Sequence, residues 1–144
     1  MTIIRVAFRY GDARPFARLV TLLRGGDSAH CEAAWQWEGA MHRCVSASWL
    51  DGGVRGKDIE MPPEKWRIYE VPARAMPQAW GLLRASHGYD VVGLLGILWP
   101  ILGHRTRRWF CSEAVADMLG LPEPQLFDLR TLESVCALIG RRVQ

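Results

Sequence analysis

Residues 28–49 read SAHCEAAWQWEGAMHRCVSASW. The segment SAHCEAAWQW alternates as a half-buried strand does, EGA supplies a turn, and MHRCVSASW returns as a second strand. The stretch is therefore expected to form a hairpin, and it commits the chain to an antiparallel sheet. Upstream, TIIRVAFRY (2–10) alternates apolar and polar residues until Gly11-Asp12. Residues 14–25, RPFARLVTLLRG, place Phe16, Leu19, Leu22 and Leu23 at helical spacing, with Pro15 in the first turn and Gly25-Gly26 as the stop. Downstream, VRGKDIEM (54–61) and WRIYEVP (66–72) are two more strands, separated by Pro62-Pro63. RAMPQAWGLLRASHG is a helix with its Pro early and its Gly late. GYDVVGLLGILWPIL (88–102) is apolar all round, the pattern of a buried helix. CSEAVADMLG is a helix closed by Gly120, and LFDLRTLESVCALIG is a terminal helix with apolar spacing at Leu129, Leu132, Val135 and Leu138. With little strand–helix–strand alternation, the class is α+β: a small antiparallel sheet framed by helices.

The 144 residues suit one domain spanning 1–144, and 49% hydrophobic with 23% charged residues is an ordinary globular composition. The formal net charge is +3, and Lys57 and Lys65 are the only lysines among its cations. No clustered basic stripe and no RRM, homeodomain or zinc-finger pattern is present, so no nucleic-acid partner is expected. MTIIRVAFRYGD lacks the basic leader, long apolar region and cleavage site of a signal peptide. The longest apolar run, VVGLLGILWPIL (91–102), is too short to span a bilayer and carries Pro100. These features predict a soluble protein, cytoplasmic as synthesised, with no integral membrane segment. Cys31, Cys44, Cys111 and Cys136 form no CxxC pair and are expected as free thiols in a reducing compartment.

Cys111 opens a helix. A helix N-terminus presents unpaired N–H groups and positive partial charge, which favour a thiolate. Arg105, Arg107 and Arg108 lie just upstream. The amides of Ser112 and Glu113 point toward the sulfur region and are candidates to hold an oxyanion. The position also fits a small core thiol. A thiol nucleophile needs a base, and His30 is the most suggestive histidine. Side chains two apart on a strand share a face, so His30 and Glu32 point the same way and Cys31 points away from them. A carboxylate beside an imidazole fixes its tautomer and stabilises the imidazolium; a solvent-facing His/Glu pair is the plain alternative. His30, Cys31, Glu32, His42 and Cys44 are dense for one hairpin, but four metal ligands do not fall on one side of it, so no metal site and no cofactor is expected.

SAHCEAAW, ASWLDGGVRGKDI, GYDVVGLLG and WFCSEAVADMLG, in this order, resemble the permuted papain-like amidases of the YiiX/YaeF type. These are relatives of NlpC-type cell-wall peptidases and of lecithin retinol acyltransferase. The chain is also similar to small phage-encoded proteins described as distant relatives of cell-wall-associated hydrolases. The resemblance covers about residues 14–120 and lies in the joint occurrence of SxHxE, DGGVR, YDxxGL and the WFCSE helix start. It implies a circularly permuted papain-like fold, in which a sheet or partial barrel packs against helices and the His strand precedes the Cys helix. It implies Cys111 as nucleophile, His30 as general base and Glu32 as the third polar residue. In related permuted enzymes the third group comes from the neighbouring strand, where His42, Ser46 and Ser48 are the candidates. A turn around Glu38-Gly39 would pair residue 32 with 45 and residue 30 with 47; a one-residue bulge would bring the other parity across. Tyr89 matches a family tyrosine near the site and could donate to an oxyanion, or be a core-edge tyrosine. Asp90 next to it could cap the following helix. Arg55 reads as a surface residue, with a substrate carboxylate as the other partner open to it. The implied activity is a cysteine amidase or peptidase acting on a peptide, peptidoglycan or lipid-amide substrate. A catalytically silent binding module or phage accessory protein, and a thiol acyltransferase acting on lipid, are the alternatives.

Overall fold

The computed structural model describes residues 1–11, 14–24, 27–48, 51–84, 88–89 and 108–144. Five long strands carry the sheet: β1 (Thr2–Tyr10), β2 (Ser28–Glu38), β3 (Met41–Ser48), β4 (Gly53–Glu60) and β5 (Trp66–Ala73). Three two-residue strands, β6 (Gly88–Tyr89), β7 (Arg108–Trp109) and β8 (Arg141–Arg142), extend it. The helices are α1 (Pro15–Arg24), α2 (Pro77–Arg84), α3 (Cys111–Leu119) and α4 (Leu129–Ile139), with a 3-10 turn at Pro124–Leu126. Strand order is β7-β6-β4-β3-β2-β1-β5-β8. Every pairing is antiparallel except that of β6 with β7, which is parallel. The fold is α+β, as the grouping of strands in the sequence leads one to expect.

Strand alternation sorts the side chains onto two faces. Ile4, Val6 and Phe8 of β1, Cys31 and Ala33 of β2, Val45 and Ala47 of β3, and Tyr69, Val71 and Ala73 of β5 join α3 and α4 in the main core. Ala7, Ala34, Cys44, Met61, Trp66 and Ile68 form a smaller cluster. Helix α3 packs against β2, β3 and β5, and eight of its nine residues are buried. Gly120 ends it at φ +77°, a conformation that residues with a Cβ rarely adopt.

Helix α4 starts at Asp128, whose side chain accepts from the Thr131 N–H. It buries Leu129, Leu132 and Cys136, while Leu138 is 85% exposed. The apolar stripe expected at 129, 132, 135 and 138 therefore runs instead through Cys136, one turn beyond Leu132, and leaves Leu138 off the face. Glu133 of α4 accepts from the Tyr69 hydroxyl at 3.0 Å and from Arg67 at 2.9 Å, joining the helix to β5. Strand β8 has no apolar pattern to announce it; it forms where Arg141 reaches Glu70 at 2.8 Å and the backbone pairs with β5.

The hairpin turns at Gly39-Ala40, with Glu38 facing Met41, rather than at Glu38-Gly39. A register shift between Ala34 and Gln36 leaves Trp35 as a bulge. Below it the register is Ala33 to Val45, and its continuation sets Ser46 across from Glu32. The helix expected over 88–102, Arg105 and Arg107, Asp90 and the Gly25-Gly26 stop lie outside the described residues, save for the backbone of β6.

Helix α2 lies so close to β3 that a Cβ on Gly81 would sit 2.9 Å from Val45 Cγ2 and 3.0 Å from its Cγ1. Alanine would gain about 1 kcal/mol in helix propensity, but overpacking costs about 1–3 kcal/mol. Gly81→Ala is expected to lower stability by about 1 kcal/mol in urea unfolding. Val45→Ala should cost less when combined with it than alone. A Gly81→Ala chain at least as stable as the parent would contradict this packing.

Candidate active site

Cys111 is the first residue of α3. Phe110 occupies the N-cap and provides no side-chain cap. The first helical bond runs from the Ala114 N–H to the Phe110 carbonyl, 3.0 Å. The helix ladder thus leaves the Cys111 and Ser112 amides unused, which is the arrangement that favours an anion at a helix start. A serine or aspartate cap would have taken up one of these donors; a phenylalanine cannot.

Across from this helix start lies β2. His30 Nε2 donates to Glu32 Oε1 at 2.6 Å, so the two residues share a face as their spacing requires. The Cys111 sulfur lies within electrostatic reach of the His30 imidazole and of Cys31, side chain and backbone alike. Cys31 was expected to point away from the site. It does point to the other face from Glu32, but that is the face on which α3 packs, so its thiol meets Cys111. A register shift beside His30, where Arg9 faces residue 30 and Tyr10 faces residue 28, interrupts the strict alternation at this end of β2. Residues 30 and 31 both act on Cys111.

Glu32 is 0% exposed, and its charge is met by Arg55 of β4. Arg55 Nη1 donates to Glu32 Oε2 at 2.7 Å, and Arg55 Nη2 donates to Oε1. The expectation of a surface Arg55 is overturned: its side chain is 15% exposed and forms a two-pronged clamp. The reason is register. Ser46 pairs with Arg55 on one side and stands across from Glu32 on the other, so all three share a row. The small serine lets the guanidinium pass over β3. Arg55 Nε also donates to Asp51 at 2.7 Å, and Lys57 reaches Asp51 at 3.4 Å.

These contacts set the ionisation of the group. The Cys31 thiol, donating to the Cys111 sulfur, and then the His30 charge overcome burial and hold the Cys111 thiol well below the ordinary thiol range. Burial alone would lower His30, but the Glu32 carboxylate and the Cys111 sulfur raise it to about 9. Burial would raise Glu32; the Arg55 hydrogen bonds and the His30 charge bring it below the usual carboxylate range. Burial and the neighbouring Cys111 push Cys31 up, so it remains a thiol. All three shifts run toward the charged forms: a thiolate on Cys111, an imidazolium on His30 and a carboxylate on Glu32.

Three further residues named from the sequence fall elsewhere. Ser46 donates to the Cys31 carbonyl at 2.7 Å, bracing β2 from β3. His42 bonds the Ala40 carbonyl at 2.9 Å and Arg5 at 3.2 Å and stacks on Trp37, away from His30. Ser48 is buried, and no hydrogen bond joins it to His30 among the described residues. Ser112 is buried beside Cys111. The Tyr89 backbone pairs with Trp109, two residues before Cys111. The Tyr89 side chain, Arg105, Arg107 and the Arg108 side chain lie outside the described residues. Among the described residues, no three His, Cys, Asp or Glu side chains are grouped to hold a metal ion, and no helix is long and apolar enough to cross a membrane.

Comparison of the chain with protein families, curated proteins and solved structures finds no match.

The His30 value of about 9 lies above the ordinary 6.5. Its contribution to stability is therefore complete below pH 6.5 and is lost as pH rises through about 9. Urea unfolding of the parent and of His30→Gln should show a difference that is larger at about pH 6 than at about pH 9.5. A difference that grows with pH would reverse the assignment.

Proposed function

We propose that the chain is a cysteine hydrolase of the permuted papain-like amidase type, cleaving an amide or ester bond through Cys111, His30 and Glu32. What carries this reading is a helix-start thiol within electrostatic reach of an imidazole whose Nε2 is tied to a buried carboxylate. The order along the chain, His strand before Cys helix, agrees with the resemblance of the SxHxE and WFCSE segments to that group.

With Nε2 committed to Glu32, Nδ1 is the nitrogen that serves the sulfur. The Cys111 thiolate attacks the substrate carbonyl, and the electron pair of the C=O bond moves to oxygen. The Cys111 and Ser112 amides stabilise that oxyanion. His30, already protonated, gives its Nδ1 proton to the leaving amine or alcohol as the tetrahedral intermediate collapses to a thioester. Neutral His30 then takes a proton from water, the hydroxide adds to the thioester, and the acid departs as the thiolate and imidazolium re-form. Glu32 stays ionised throughout and keeps the ring oriented. The substrate class that follows from the resemblance is a cell-wall peptide or an acyl amide. Transfer of the acyl group to an amine or lipid, in place of water, is the acyltransferase variant of the same chemistry.

Alkylation by iodoacetamide at about pH 6, mapped by peptide mass, should modify Cys111 at least about tenfold faster than Cys31, Cys44 or Cys136. Equal rates at all four thiols would remove the hydrolase reading and leave a binding module. Peptidoglycan fragments and an acyl-amide and ester panel should then be digested with the parent chain. Cys111→Ala should abolish turnover, and His30→Gln should lower it by about 10²–10⁴-fold.

A further inference from the structure

We propose that Arg55 is a positioning residue of this site: its guanidinium clamps the Glu32 carboxylate in the orientation that meets His30 and supplies the fixed positive charge that keeps that carboxylate ionised. The inference rests on the cysteine-hydrolase reading and adds to it a residue from a strand that contributes none of the reacting groups.

The geometry has three parts. Glu32 has no solvent to share its charge with, and both of its oxygens are engaged by Arg55. One of them, Oε1, also accepts from His30 Nε2 at 2.6 Å. The guanidinium is itself held from behind, because its Nε donates to Asp51 at 2.7 Å. A planar fork anchored at its Nε end has little freedom to turn, so the carboxylate it grips is fixed in plane and in distance from the imidazole.

The charges also have to balance. In the reactive state Cys111 and Glu32 are anions, and His30 is a cation. Those three alone carry one net negative charge in a buried place, and such a cluster relieves itself by taking up a proton, most readily at the thiolate. Arg55, held on Glu32, brings these four groups to two against two; Asp51, which holds Arg55 from behind, is exposed and is met by Lys57. It cannot lose its own proton in the working range. Lysine could supply the charge but not the two-pronged grip, and its amine would have to span β3 over Ser46 as a single point.

The full chain should be prepared as Arg55→Lys, Arg55→Met, Glu32→Gln and the double variant Glu32→Gln/Arg55→Met. The readout is the rate of Cys111 alkylation by iodoacetamide against pH, with the modified peptide identified by mass. In Arg55→Met the acid limb should move up by about one pH unit or more, so that alkylation at about pH 6 falls about tenfold. Arg55→Lys should restore part of that loss. Glu32→Gln should produce a shift of its own, and adding Arg55→Met to it should move the profile no further, because Arg55 acts through Glu32. A profile for Arg55→Met that superimposes on the parent, or a double variant that loses substantially more than Glu32→Gln, overturns the proposal. Should Arg55→Met fail to fold, as read by circular dichroism, Arg55→Lys decides, since it keeps the charge and loses the fork: a shifted acid limb supports the clamp, and a profile that superimposes on the parent overturns it. An ordinary, unactivated Cys111 in the parent chain would instead sink the hydrolase reading itself; an activated Cys111 indifferent to Arg55 sinks only this inference.

Discussion

A carboxylate shut away from water has to find its counter-charges inside the protein, and Glu32 does so between Arg55 and His30. Desolvating a carboxylate costs several kcal/mol, and the cost is offset only where the geometry is good and the lone pairs are met. That constraint organises the neighbourhood. It requires β4 to lie in register with β3, β3 to present a small residue at 46, and β2 to carry its imidazole two positions from the acid. It also explains why Ser46, whose hydroxyl is turned to the Cys31 carbonyl, serves the site without touching His30.

Strand β2 works on both of its surfaces at once. Its odd-numbered side chains, Cys31 and Ala33, belong to the core shared with α3 and α4, and its even-numbered ones carry the ionic row. The helix start therefore arrives at a place where one strand offers it a thiol from one surface and an imidazole from the other. The absence of a capping side chain at Phe110 belongs to the same arrangement, since any cap would compete for the amides of the helix's first turn.

What could be seen in the linear sequence was what is local. The period-two pattern of SAHCEAAWQW and MHRCVSASW is enough to place a hairpin, and HxE spacing is enough to put His30 and Glu32 together. Cys111 at a helix start follows from the apolar run and Gly120. What was hidden is what depends on pairing between strands. The bulge at Trp35 and the turn at Gly39-Ala40 decide which residue stands opposite Glu32, and neither has a strong signature in the residues themselves. Without that register, Arg55 has no visible partner and reads as a surface cation. The same gap concealed Cys31: the alternation was correct, but the side of the sheet on which α3 would settle was not available from spacing. In α4, Cys136 acts as an apolar residue on the buried stripe, which a count of leucines and valines misses.

The extra residue at Trp35 has an effect out of proportion to its size. Beyond it, toward the tip, Trp37 faces His42 in an aromatic stack; below it, the pairing has slipped by one, and a serine instead of a valine or alanine lies level with the buried acid. The hairpin is a phase shifter. A regular ladder from the same turn, with Trp35 taken into the pairing, would set Ala47 across from Glu32 and turn Ser46 toward the helices. A residue that touches no reacting group thus decides which side chain lies level with the buried acid, while its removal would leave the pairs on both sides of it in step.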